Sequence, residues 1–132
     1  MASAEEPERA APIVGLSHVQ LSVADVGASA HWYSAALGLV PFVEDSDTGY
    51  VALRHRDAKF VVVLTRRTES CGEPSDLLDH IAFAVPDGVA LDLWADHLIE
   101  IGVHHAGVVL ENGHPSLQLR DPDGIAIELV AP

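Results

Sequence analysis

Three side chains in this sequence have the types and the placement to hold a divalent metal: His18, His80 and Glu128. Each lies in a short apolar run whose alternation assigns it to a face. Residues 17–25 read SHVQLSVAD, with Val19, Leu21 and Val23 pointing one way and His18, Gln20 and Ser22 the other. Residues 79–87 read DHIAFAVPD, with Ile81, Phe83 and Val85 on the apolar side and His80, Ala82 and Ala84 opposite. In IAIELV, residues 125–130, Ile125, Ile127 and Leu129 are the apolar side, and Ala126 and Glu128 face the other way. A carboxylate inside such a run is costly to bury unless it is paired or bound to a cation. Two neutral imidazoles and a carboxylate, with positions open for water or substrate, suit Fe(II), Mn(II), Zn(II), Co(II) or Ni(II). Singly, a strand histidine is more often only hydrogen-bonded, and a glutamate near a terminal strand is often only solvated. Together, on one face and at matching sites of a repeat, the three favour the metal.

The repeat has an offset of 62 residues. It maps His18 onto His80, Val23 onto Val85, Asp25 onto Asp87 and Trp32 onto Trp94. Around it the chain reads as two β-α-β-β-β modules. The first has a strand over 13–23, a helix over 26–37 with Trp32, Tyr33, Ala36 and Leu37 on its buried side, and strands over 39–44, 50–54 and 59–65. The second has a strand over 79–85, a helix over 89–101 with Leu93, Trp94, Leu98 and Ile101 on its apolar side, and strands over 106–110, 116–120 and 125–130. Gly38 and Gly102 end the helices, since a residue without Cβ accepts the left-handed conformation. Asn112-Gly113 and the DPDG run, 121–124, are turns. The expected fold is α+β: two βαβββ modules whose strands form a curved mixed sheet, helices on the convex side and a cavity on the concave side. Residues 1–12 read as a flexible arm and 13–132 as one domain, with module 1 over about 13–67, a polar linker over 68–76 and module 2 over about 77–131.

The remaining polar groups sort around that cavity. Gln20, Ser22, Gln118 and Arg120 are candidate pocket lining, with Tyr50 as an aromatic wall or core residue. Arg120 has a second reading, as a partner for Asp121 or Asp123. His114, just before a strand, is the candidate acid/base at the cavity mouth. His31 and His97 belong to helix surfaces or to helix packing, His55 to a hairpin turn, and the adjacent His104 and His105 to a loop, where neighbours on an extended chain point apart.

Composition narrows the function. Twenty acids against seven Lys and Arg give a formal charge of −13, which argues against nucleic acid as a partner and permits a cationic ligand. The apolar runs are too short to span a membrane. The first twelve residues lack the apolar centre of a targeting signal, and Cys71 is a lone cysteine in a polar stretch, so a cytoplasmic location is expected.

From Leu16 to Val130 the chain resembles the vicinal oxygen chelate superfamily, which includes glyoxalase I, extradiol dioxygenases, fosfomycin-resistance transferases and bleomycin-binding proteins. The resemblance rests on SHVQLSVAD, HWYSAALGLVP, DHIAFAVPD and, most specifically, LRDPDGIAIEL. It implies metal ligands from the first and last strands of each module, carried here by His18, His80 and Glu128. The fourth ligand position falls on Val63, or on Val62 with one residue of slippage, and valine cannot bind a metal. That departs from the four-ligand pattern of glyoxalase I and leaves two histidines and one carboxylate. The resemblance also implies a homodimer, in which His18 of one copy joins His80 and Glu128 of the other. The functional expectation is a metal-dependent enzyme acting on a small oxygenated substrate by dioxygenase, isomerase/lyase or transferase chemistry. The alternative is a metal-independent antibiotic- or metabolite-binding protein of the bleomycin-binding type.

Overall fold

A computed structural model describes residues 15–45, 47, 49–68 and 78–132. The expected N-terminal arm, the first residues of the expected opening strand, Cys71 and most of the expected linker lie outside the described residues. The element order is β1 (His18–Val23), α1 (Val26–Leu37), β2 (Val40–Asp45), β3 (Tyr50–Arg54), β4 (Val61–Arg66), β5 (His80–Ala84), α2 (Gly88–Glu100), β6 (Val109–Glu111), β7 (His114–Arg120) and β8 (Ala126–Val130). These are two βαβββ modules of an α+β fold. The strands hydrogen-bond as two four-stranded sheets, ordered β1-β4-β3-β2 and β5-β8-β7-β6. In each, three strands meander antiparallel and the last docks parallel to the first.

The helices start and stop where the sequence places the signals. Asp25 and Asp87, matched by the repeat, each accept a hydrogen bond from the backbone N–H three residues on, Ala28 at 3.0 Å and Ala90 at 2.8 Å. Gly38 follows α1 at φ 72° and Gly102 follows α2 at φ 80°, conformations that suit a residue without Cβ.

One apolar core joins both modules. Leu21, Val23, Tyr33, Leu37, Val62 and Leu64 of the first pack in the same cluster as Leu91, Leu98, Leu117, Ile127 and Leu129 of the second. The second helix corrects the sequence reading. Leu91 and Leu98 are its buried residues, whereas Leu93 and Ile101 are exposed. Leu91 and Leu98 are seven residues apart, about two turns, and share a face; Leu93 is rotated by about 200° from Leu91 and points outward. On α1, Tyr33, Ala36 and Leu37 are buried as expected, with Ser29 beside them, while Trp32 is only half-buried.

Polar contacts also lock the DPDG turn onto α1. Tyr33 Oη donates to Asp121 Oδ2 at 2.8 Å. Asp121 Oδ1 accepts from the backbone N–H of Asp123 (2.9 Å) and Ile125 (2.8 Å). Asp123 accepts from Ala24 N–H at 2.9 Å and from Ser29 Oγ at 3.3 Å. His97 Nε2 adds a contact between the helices, donating to the carbonyl of Ala35 at 3.0 Å. Asp121 is buried, yet all three of its contacts are donors, so the carboxylate form is the one the site accommodates. Burial still pushes its pKa above the usual carboxylate value, and the three donors oppose that shift. Burial, then the Asp121 charge, pushes the Tyr33 phenol upward, so it stays protonated and donates.

Replacing Tyr33→Phe leaves one oxygen of this buried carboxylate without its side-chain donor. Urea denaturation should show a loss of about 1–3 kcal/mol. The pH dependence has a definite sign. A carboxyl whose pKa is raised on folding binds its proton more tightly in the native state. Its contribution to stability therefore falls as pH rises from 3.8 through the raised value, then stays level. Asp121→Asn should remove that part of the slope.

Candidate metal and substrate site

The parallel pairing of β5 with β8 sets the site. His80 lies opposite Ala126 and Ala82 opposite Glu128, so residues of even number on both strands share one face. The apolar residues of odd number, Ile81, Phe83, Ile127 and Leu129, are committed to the core. His80 and Glu128 thus project from the other face, and His80 Nε2 lies 3.3 Å from Glu128 Oε2. The His80 side chain is 44% exposed and that of Glu128 14% exposed, so the carboxylate gives up most of its water and depends on its neighbour. Asp79 Oδ2 holds His80 Nδ1 at 2.7 Å. This turns Nε2 toward Glu128 and is the arrangement in which an outer carboxylate fixes the tautomer of a ligating histidine.

The hydrogen bond to Asp79, followed by the charge of Glu128, raises the pKa of His80 above its ordinary value. A proton on His80 then serves as the cation between two carboxylates. A divalent ion fits the same donors. The pair, an imidazole nitrogen and a carboxylate oxygen 3.3 Å apart, has the donor chemistry that would hold such an ion.

His80 and Glu128 open onto a cleft of about 1050 Å³. Its lining includes Asp79, Glu111, Gln118, Arg120, Trp32 and the 101–106 loop with His104 and His105. Gln118 Nε2 donates to Glu111 Oε2 at 2.6 Å. Arg120 Nη1 donates to the carbonyl of Gly124 at 2.9 Å, so its partner is the turn backbone and neither Asp121 nor Asp123. His105 is spoken for: Nε2 donates to the Ala95 carbonyl at 2.9 Å and Nδ1 accepts from Gly107 N–H at 3.0 Å. Trp32 and His104, expected on the buried side of a helix and in a loop, also line the cleft, a role the sequence reading did not give them. Helical spacing cannot show that a half-buried face borders a cavity of the other module, and nothing local marks the path of an irregular loop.

The other expected site residues lie apart from this cleft. His18, Gln20 and Ser22 are exposed on β1, in the other sheet, and do not line it. His18 Nδ1 contacts Ser17 Oγ at 3.0 Å, so the preceding residue again holds the same ring nitrogen and leaves Nε2 outward. Val63 pairs with Gln20 as Glu128 pairs with Ala82, which fixes Val63, and not Val62, as the counterpart of Glu128. Tyr50 lines a separate cleft against Val26 and Ala30 of α1. His114 begins β7, inside the strand and opposite Glu111, and is not among the residues lining the cleft. Among the described residues no three His, Cys, Asp or Glu side chains of one chain are grouped to hold a metal.

NMR titration of His80 checks this electrostatic picture. Asp79→Asn should bring the pKa of His80 down toward 6.5, by more than Glu128→Gln does. In the wild type the small contribution to stability is present below 6.5 and is lost as pH rises through the raised value.

Among curated proteins none matches the chain. Solved structures do. An integron cassette protein from the mobile metagenome of the Halifax Harbour sewage outfall is 26% identical with a TM-score of 0.77, over 91% of this chain and 100% of that one. Lactoylglutathione lyase from Agrobacterium tumefaciens is 18% identical with a TM-score of 0.74, over 92% and 96%. An antibiotic binding protein from Streptomyces sp. CB03234 is 20% identical with a TM-score of 0.76, over 91% and 98%. At such identities the last two likenesses are ones of fold. A family model matches residues 15–129, nearly the whole described chain, and the protein therefore belongs to the Glyoxalase/Bleomycin resistance protein/Dioxygenase superfamily.

Proposed function

We propose that this chain is one half of a homodimeric, divalent-metal-dependent enzyme acting on a small oxygenated substrate. His80 and Glu128 of one copy and His18 of the other hold the metal. The observation that carries this reading is the 3.3 Å approach of His80 Nε2 to Glu128 Oε2, with Asp79 fixing the opposite side of the imidazole. Two protein ligands leave a divalent ion short of a stable set, and His18 is the unused histidine at the matching site of the repeat. Its Nε2 has no partner among the described residues. The outermost strands support a second copy: Val40, Phe42 and Val43 on β2 and Val109 and Leu110 on β6 are exposed apolar residues on sheet edges.

When bound, such an ion polarises substrate oxygen and stabilises negative charge developing there. The chain's own residues do the rest. Asp79 orients His80 and keeps it basic. Glu128 supplies one negative charge. Gln118, locked to Glu111, and Arg120, locked to Gly124, present fixed polar walls. His104 lines the cleft and is the group placed to move a proton there. His114, at the rim of the β6–β7 hairpin, serves as the acid/base only if the partner copy brings substrate to it. A second reading, metal-independent binding of a cationic metabolite or antibiotic, draws on the three carboxylates Asp79, Glu111 and Glu128 around the cleft. Under it, His18→Ala leaves ligand binding intact.

Metal content and affinity separate the readings. His18→Ala and His80→Ala should each abolish stoichiometric binding of Co(II), and Asp79→Asn should weaken it about 10–100-fold. Mixing the two alanine variants under exchange should restore about a quarter of the sites, since one site in a mixed dimer is intact. No restoration, with both variants dimeric, overturns the shared site. Because the ion must displace a proton from His80, affinity should rise with pH up to the pKa of His80.

A further inference from the structure

A second cavity, of about 180 Å³, lies between the β3–β4 hairpin and the second module. It shares no lining residue with the His80–Glu128 cleft. Its walls are Phe60, Phe83 and Trp94 with Leu37, Leu39 and Leu129, and no Asp, Glu, Lys or Arg lines it. The rings of Phe60 and Phe83 are 5.2 Å apart and tilted by 39°. One polar ring joins them: His55 stacks on Phe60 at 5.7 Å and 27°. His55 Nδ1 accepts hydrogen bonds from two backbone N–H groups, Asp57 at 3.0 Å and Ala58 at 2.9 Å. A nitrogen that accepts twice carries no proton, so the hydrogen of the ring resides on Nε2. The turn therefore locks His55 as a donor, on the ring edge away from the turn, and Nε2 has no partner among the described residues.

The geometry points to a binding site for a neutral, single-ring aromatic molecule carrying one hydrogen-bond acceptor. Its ring sits among Phe60, Phe83 and Trp94, and its acceptor meets His55 Nε2–H. Size sets the class, because an apolar cavity of about 150 Å³ takes up benzene, and 180 Å³ holds one ring with a small substituent. Polarity sets the charge, because a carboxylate or ammonium would lose its water among these walls and gain at most one hydrogen bond. The buried core beneath, with Leu39 and Leu129 nearly inaccessible, keeps the walls fixed without a ligand.

The two tryptophans make the test local, since Trp94 lines this cavity and Trp32 the metal cleft. Anisole and ethylbenzene, which differ by an oxygen in place of a methylene, are titrated into the full chain while the two indole N–H signals are followed by NMR. The expected result is a saturable shift of Trp94 with Trp32 unmoved. The preference for anisole over ethylbenzene should fall about threefold to tenfold in His55→Phe, the worth of one hydrogen bond. Should His55→Phe fail to fold, Ala58→Phe decides: it sits on the exposed hairpin, fills the cavity from its lining position and should lower the affinity for anisole at least tenfold. No saturable shift of Trp94, a shift of Trp32 alone, an unchanged preference in His55→Phe, or unchanged affinity in Ala58→Phe overturns the site.

Discussion

The apolar side of every inner strand is claimed by one core that both modules share, and the rest of the molecule follows from that claim. Successive side chains on a strand point to opposite faces. Once Leu21, Val23, Val62 and Leu64 are committed inward in one sheet, and Leu117, Ile127 and Leu129 in the other, the polar residues between them have one face left. A slip of one residue in β8 would turn Glu128 toward the core and the Ile127 side chain away from it. The register of β5 against β8 is thus held by the burial of leucine and isoleucine, and the His80–Glu128 contact is a by-product of it.

The second constraint is polar. The DPDG turn of module 2 clasps α1 of module 1, and the chain just before it, through Asp121 and Asp123, which accept three hydrogen bonds from Ala24, Ser29 and Tyr33, while two more from Asp123 and Ile125 N–H fix Asp121 within the turn. The same turn receives Arg120 at the Gly124 carbonyl. One wall of the cleft is therefore anchored to the contact that joins the modules. Trp32, next in the chain to Tyr33 and edge-on to its ring at 5.0 Å, is positioned by that clasp as well. The most specific stretch of sequence, LRDPDGIAIEL, contains both the clasp and Glu128, so it places the acidic residue and fastens the modules at once.

The repeat is symmetric in backbone and asymmetric in chemistry. Both first strands begin with a histidine whose Nδ1 is held by the residue before it, Ser17 in one case and Asp79 in the other. The partner strand then offers Glu128 in module 2 and Val63 in module 1. The Asp79 carboxylate raises the basicity of His80. His18 thus stands exposed at the head of β1, while His80 is the centre of a charged pair.

Much of this was legible in the residues themselves. Strand alternation, Asp at the helix starts, Gly at their ends and the 62-residue repeat determine the two βαβββ modules, and alternation alone puts His80 and Glu128 on one face. These are local signals, carried by neighbours two to four positions apart, and local sterics enforce them. Whether Leu91 or Leu93 faces inward, whether Trp32 is core or cleft wall, and where His104 lies depend on how a helix or loop is rotated against elements distant in sequence. No periodicity encodes that rotation. The same holds for His18: its face follows from the strand, but its distance from His80 depends on how two separate sheets are arranged. Only the tertiary structure decided that His80 and Glu128 meet within one chain while His18 stands on the other sheet, because packing of the shared core, and not the repeat, sets the relation between the modules.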